Sequence, residues 1–200
     1  MSKRKIFLII FFSIIFISLV VMFYLNKLYL IDDLAYKYIT LFKCDNLTIF
    51  FKVVTMCGGF IFSLILSDIV LFFNRKKGLY FFINVFIILG INTVLKYIFV
   101  RERPIGINLI NETGYSFPSA HSMLTIGLYG LLLFYVYRTK NHSKIAKILS
   151  LIIICILMLA IPITRVYLGV HYFSDILAGA CISGIWLMIY SEYLKRKSIM

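Results

Sequence analysis

Apolar residues along this chain come in runs too long to be one face of a soluble helix. Residues 6–25 form a run of about twenty, enough to carry a single helix across ~30 Å of hydrocarbon. Residues 49–73, 79–99, 119–137, 145–164 and 171–194 are comparable runs. The pattern predicts an all-α polytopic membrane protein with six transmembrane helices. The first run lacks the short core and small-residue cleavage site of a signal peptide, so it reads as an uncleaved span. Residues 26–48 differ. They are more polar, and Ile31, Leu34, Ala35, Tyr38, Ile39 and Phe42 recur at helical spacing with Asp32 and Asp33 in the first turn. That spacing predicts a short amphipathic helix on the outer membrane surface, or equally a packed loop helix with no lipid role. No internal repeat or low-complexity tract interrupts the chain, which reads as one membrane-embedded domain over residues 1–200.

Composition agrees with the pattern. Hydrophobic residues make up 62% of the chain, aromatics 17%, and the mean hydropathy is +0.98, values that exclude an ordinary soluble domain. The net charge of +13 does not change the class, because the basic residues sit in short clusters between the apolar runs. Lys3, Arg4 and Lys5, then Arg75, Lys76 and Lys77, then Arg138, Lys140, Lys144 and Lys147, then Lys195, Arg196 and Lys197 all fall on one side if six helices alternate in direction. Such a bias marks the cytoplasmic side rather than a nucleic-acid surface. Both termini are therefore expected in the cytoplasm of a cell-membrane protein, with residues 26–48, 100–118 and 165–170 outside. Cys44, Cys57, Cys155 and Cys181 show no metal-ligand spacing, so neither a disulfide framework nor a zinc site is implied.

Ionisable groups at membrane depth are costly unless they have a partner or a task. Arg165, His171 and Asp175 stand in one such stretch, with Gly169 marking a bend between them. If a helix begins near His171, Asp175 lies one turn further along the same face, where a carboxylate can hold an imidazole in one tautomer. Taken alone, the stretch would also fit an ion-paired cluster at a helix end. On the same outer surface the third span ends with Lys96, Arg101, Glu102, Arg103 and Pro104, and the fourth opens with Pro118, Ser119, Ala120 and His121. Cations gathered in this way need an anion, and a phosphate suits arginine forks best. The amides of Ser119, Ala120 and His121 would add donors at a helix N-terminus, although Pro-Ser-Ala-His alone also fits an ordinary cap.

These residues carry a specific resemblance. Lys96, Arg103 and Pro104, then Pro118-Ser119-Ala120-His121, then Thr164-Arg165, His171 and Asp175 are similar, in order and spacing, to the three-part signature of the type 2 phosphatidic acid phosphatase superfamily. The signature covers residues 96–175, and the six-helix layout extends the likeness over the chain. Ala120 stands where the family most often has Gly, and Thr164 where it most often has Ser; alanine keeps the backbone amide and threonine keeps the hydroxyl. The resemblance implies that His171 is the nucleophile that becomes a phosphohistidine, that Asp175 orients it, and that His121 protonates the leaving group and then activates water. Lys96, Arg103, Ser119, Ala120 and Arg165 would bind the phosphate, with no metal or other cofactor required. The implied substrates are lipid phosphates held in the bilayer and hydrolysed at the outer face. Undecaprenyl pyrophosphate comes first on topology, followed by phosphatidylglycerophosphate and phosphatidic acid. The non-enzyme alternative is an anionic-lipid or phosphate binding or transport protein; it accounts for the cations but not for two histidines with a carboxylate four residues behind one of them. Outside the signature, Arg101 and Glu102 read as a solvated or mutually paired surface, and His142 as cytoplasmic loop. Lys52 needs nothing beyond snorkelling, and the spacing of Asn108, Asn111, Glu112 and Tyr115 leaves open whether they form a lid over the site.

Overall fold

The computed structural model describes residues 1–139 and 143–199, and among these the chain is helical with no strand. Eight helices follow in order: α1 (Lys3–Tyr24), α2 (Tyr29–Ile39), α3 (Asp45–Met56), α4 (Phe60–Phe73), α5 (Arg75–Phe99), α6 (Ala120–Arg138), α7 (Lys144–Tyr167) and α8 (Phe173–Arg196). Side-chain caps set several of the starts. The Ser2, Asn74 and Ser143 oxygens each accept from an amide three residues on, satisfying one of the donors that a helix leaves open. His142 and Lys140, assigned above to a cytoplasmic loop, lie outside the described residues.

Five helices, α1, α5, α6, α7 and α8, are long and apolar enough to cross a membrane. The run at 49–73, expected as one span, is broken between α3 and α4 with a bend of 52°. Two glycines make the break possible. A side chain on Gly58 would strike Ile161 and crowd Thr125 at 3.0 Å, with His121 in ordinary contact at 3.4 Å, and the Tyr129 hydroxyl donates to the Cys57 carbonyl at 2.9 Å. Counting the bent pair as one span brings the total to six. Outward faces remain apolar: Phe72 is 86% and Leu159 69% exposed, which suits lipid and not water.

α6 is the central helix, packed against α5, α7 and α8, while α1 lies along α8 and α4 along α5. Phe81, Val85 and Ile88 of α5 meet Met123, Leu128 and Leu131 of α6 and Leu194 of α8 in the main core. One wider π turn, Thr125–Tyr129, interrupts α6 just after the expected site residues. α2 lies within the segment read as either a surface amphipathic helix or a packed loop helix. It is shorter than residues 26–48, and while Leu34 and Tyr38 point outward, Asp32 is only 3% exposed and contacts the start of α8.

Candidate active site

Two connections build the site, the loop between α5 and α6 and the short link between α7 and α8. α5 stops at Val100 in a left-handed conformation (φ 48°), which turns the chain into the loop. The link turns at Gly169, whose φ of 71° favours glycine and whose Cβ, if present, would strike the Ile107 carbonyl. The Leu109 amide donates to the Leu168 carbonyl at 2.9 Å, so loop and link are tied together beneath the site.

His171 precedes α8 rather than opening it: Tyr172 is the N-cap and the helix begins at Phe173. The expected contact forms all the same, with His171 Nδ1 3.3 Å from Asp175 Oδ2. Asp175 stands third in the helix and also accepts from the Tyr172 amide at 2.9 Å, so the capping geometry fixes the carboxylate that faces the imidazole. On the other side of the ring, Arg103 Nη1 lies 3.2 Å from His171 Nε2. A guanidinium has no acceptor, so Nε2 must carry the lone pair and Nδ1 the proton. Burial first, and then Arg165, Arg103 and Lys96, hold the His171 pKa well below the ordinary imidazole value. The ring is therefore neutral at pH 7, with its free lone pair on Nε2.

Arg103 is locked by the loop. Its Nε donates to the Gly114 carbonyl (3.0 Å), Nη2 to Thr113 (3.0 Å) and Nη1 to Val170 (2.8 Å). Arg165 is 1% exposed; Nη1 donates to Thr55 Oγ1 at 3.0 Å, Nη2 pairs with Glu112, and Nε has no partner among the described residues. An orphan guanidinium nitrogen at that depth is a donor waiting for an acceptor. Lys96 lies within electrostatic range of Arg103, Glu112, Asp175 and Arg165, and His121 within range of Arg165, His171, Arg103 and Lys96. The three separated segments thus do converge.

Several expectations change in detail. Glu112, whose role the spacing left open, sits among the cations, paired with Arg165 and 3.9 Å from Arg103. Burial pushes its carboxyl up, but Arg165, the hydrogen bond from it and Arg103 pull further the other way, leaving it below the usual carboxylate range. Asn108 and Tyr115 line, with Arg103 and Glu112, a pocket of about 630 Å³ beside the site. Ser119 does not offer a free amide: its N–H donates to the Asp175 carbonyl of α8 at 3.1 Å, and, as the cap of α6, its fully buried Oγ accepts from the Ser122 amide at 3.4 Å. The Thr164 hydroxyl turns back to the Ile161 carbonyl at 2.6 Å. Arg101 is not a solvated surface residue. It bridges Asp175 and Asp32 at 2.6 and 2.7 Å, whereas Glu102 is exposed. Arg101, Asp32, Ser174 and Thr55 are the site residues that motif reasoning misses. One signal was available: a buried Asp175 beside a neutral imidazole still needs a cation, and Arg101 was the unassigned one nearby.

The family model of the PAP2 superfamily matches residues 77–199. Phosphatidylglycerophosphatase B of Bacillus subtilis (strain 168) is 31% identical over 109 residues, which are 53% of this chain and 54% of that protein. Phosphatidylglycerophosphatase B of Haemophilus influenzae is 36% identical over 89 residues, 44% of this chain and 36% of that one. The chain thus covers about half or less of the curated relatives it matches. A crystal structure of a transmembrane PAP2 type phosphatidylglycerolphosphate phosphatase from Bacillus subtilis superposes with a TM-score of 0.83, 26% identity and 98% coverage of both chains. The crystal structure of Aquifex aeolicus LpxE shares the fold at a TM-score of 0.65 and 21% identity, over 82% of this chain and 95% of that one.

Proposed function

The chain belongs to the PAP2 superfamily, and from that premise we propose that it is an integral membrane lipid phosphatase that hydrolyses lipid phosphate monoesters or pyrophosphates through a phosphohistidine on His171. The observation that carries this reading is His171 held between Asp175 and Arg103, its Nε2 turned to the guanidinium and its surroundings dominated by Arg165, Arg103 and Lys96. A lone cation cluster would suit any anion. A cation cluster around an oriented nucleophile suits phosphoryl transfer.

In the proposed reaction the bound phosphate dianion offsets Arg165, Arg103 and Lys96 so that His121 takes up a proton, Nε2 of His171 attacks phosphorus, the bond to the leaving oxygen breaks, and the His121 imidazolium gives that oxygen its proton. His121 then takes a proton from water, the resulting hydroxide attacks the phosphohistidine, and inorganic phosphate leaves with Nε2 restored. Two existing contacts must yield first: Arg103 Nη1 moves its hydrogen bond from Nε2 to a phosphate oxygen, and Glu112 releases Arg165. Arg165 Nε gains an acceptor without losing one. Lys96, the Ser119 hydroxyl and the Ala120 amide complete the donors to the equatorial oxygens. Side-chain cations thereby take the role a divalent metal fills elsewhere, and activity is expected without added metal.

The names of the Bacillus and Haemophilus relatives put phosphatidylglycerophosphate ahead of undecaprenyl pyrophosphate and phosphatidic acid as the first substrate to test. Purified protein in detergent with excess chelator is expected to release inorganic phosphate from at least one of the three. Saturable binding of these lipids with no release would favour a binding or transport protein, and release that required restored Mg²⁺ would demand a different site.

We place the site at the outer face, with α3 and α4 together making the sixth crossing. Asn111 and Lys76 are both exposed. In a background without native cysteines, Asn111→Cys is expected to react with a membrane-impermeant thiol reagent in intact cells, while Lys76→Cys is protected. Inverted labelling would put the site in the cytoplasm.

A further inference from the structure

We propose that Arg101 is a positioning residue for the His171 reaction, and that Asp32 of α2 holds Arg101 in place, so that the outer helix is part of the catalytic apparatus. This rests on the reading of His171 as nucleophile and adds to it the device that keeps its carboxylate partner fixed.

Asp175 is fully buried, and a carboxylate at that depth is stable only with a cation and with its oxygens bonded. His171 does not supply the charge, because its ring is neutral. Arg101 does: Nη1 reaches Asp175 Oδ1 at 2.6 Å, which leaves Oδ2 to face His171 Nδ1 at 3.3 Å and the Tyr172 amide at 2.9 Å. The two carboxylate oxygens have separate tasks, and the guanidinium sets the rotation that divides them.

Arg101 is itself held on three sides. Nη2 donates to Asp32 Oδ2 at 2.7 Å, Nη1 donates also to Ser174 Oγ at 2.7 Å, and the Tyr172 ring lies 4.0 Å from its Cζ. Ser174 closes the circuit by donating its amide to Asp32 Oδ1 at 2.8 Å and its hydroxyl to Oδ2 at 2.9 Å. Two buried carboxylates with one guanidinium between them form a unit in which removing the cation leaves like charges facing each other. Arg101 lies away from the phosphate side. It lines a separate pocket of about 480 Å³ with Phe23, Tyr29, Asp33 and Tyr172, whereas Arg103 and Glu112 line the pocket beside the site. Its effect on turnover must therefore pass through Asp175.

The test uses the full chain in detergent with phosphatidylglycerophosphate as substrate. Arg101→Gln is expected to lower kcat on the order of 10- to 100-fold with KM changed by less than about twofold, since binding groups are untouched. Arg101→Lys restores the charge without the fork and is expected to recover part of the loss. Asp32→Asn, which keeps an oxygen for the Ser174 amide, is expected to lose several-fold in kcat. In an Asp175→Asn background, Arg101→Gln is expected to add less than about twofold, because its target is already altered. Wild-type kcat in Arg101→Gln, a rise in KM at unchanged kcat, or a full additive loss on top of Asp175→Asn would each overturn the proposal. Thermal unfolding of each variant controls for folding; if Arg101→Gln does not fold, Asp32→Asn carries the test. His171→Ala separates the two levels. An active His171→Ala protein removes the nucleophile reading and this inference with it, whereas an inactive one beside a fully active Arg101→Gln removes only the inference.

Discussion

His171→Ala is expected to lower phosphate release by at least about 10⁵-fold while the protein remains folded. The magnitude follows from the role: without Nε2 no phosphoenzyme forms, and the surrounding cations can only bind. Folding is expected to survive because the side chain sits in a polar pocket between Asp175 and Arg103 rather than in the main core around Phe81 and Leu128. Acid quench of wild-type protein given labelled substrate is expected to trap phosphate on the chain, and the same quench of His171→Ala to trap none. Phosphate release near the wild-type rate from a folded His171→Ala protein would falsify the mechanism.

Arg165→Ala is expected to cost on the order of 10³-fold in kcat/KM, the scale associated with losing a preorganised donor to a transferring phosphoryl group. This arginine is buried, anchored at one end to Thr55 and paired at the other with Glu112, and its Nε has no partner among the described residues. Arg165→Lys is expected to recover only part of the loss, since a point charge cannot reproduce two parallel N–H donors. Steady-state kinetics over a substrate series checks both variants. Wild-type kcat/KM in Arg165→Lys would mean that charge alone matters and that the unpaired Nε has no role.

How much of this was legible in the chain differs from residue to residue. The family signature was readable because its parts are local: Lys96 and Arg103 at the end of one helix, Ser119 to His121 at the head of the next, His171 and Asp175 four residues apart. The His171 to Asp175 contact was anticipated from helical spacing, yet His171 lies before the helix, and the contact survives because a side chain in the first turn reaches back over the cap. Ser119 shows the opposite case. Its residue type reads as a free amide at a helix start, but the packing of α8 against α6 delivers the Asp175 carbonyl to that amide.

The sequence by itself determined the class of this protein, the order of its apolar runs and the motif residues that converge, because hydrophobic run length and local spacing depend on near neighbours alone. Tertiary structure decided the rest. The break of 49–73 depends on how closely Gly58 can approach Thr125, His121 and Ile161 on other helices. Glu112 enters the cation cluster only because loop and link are tied at Leu109 and Leu168. Asp32 meets Arg101 across 69 residues and Ser174 across 142, and no periodicity along a chain encodes a pairing at such distance. Those contacts exist because two buried carboxylates and one guanidinium, once carried to the same depth by packed helices, are stable only together.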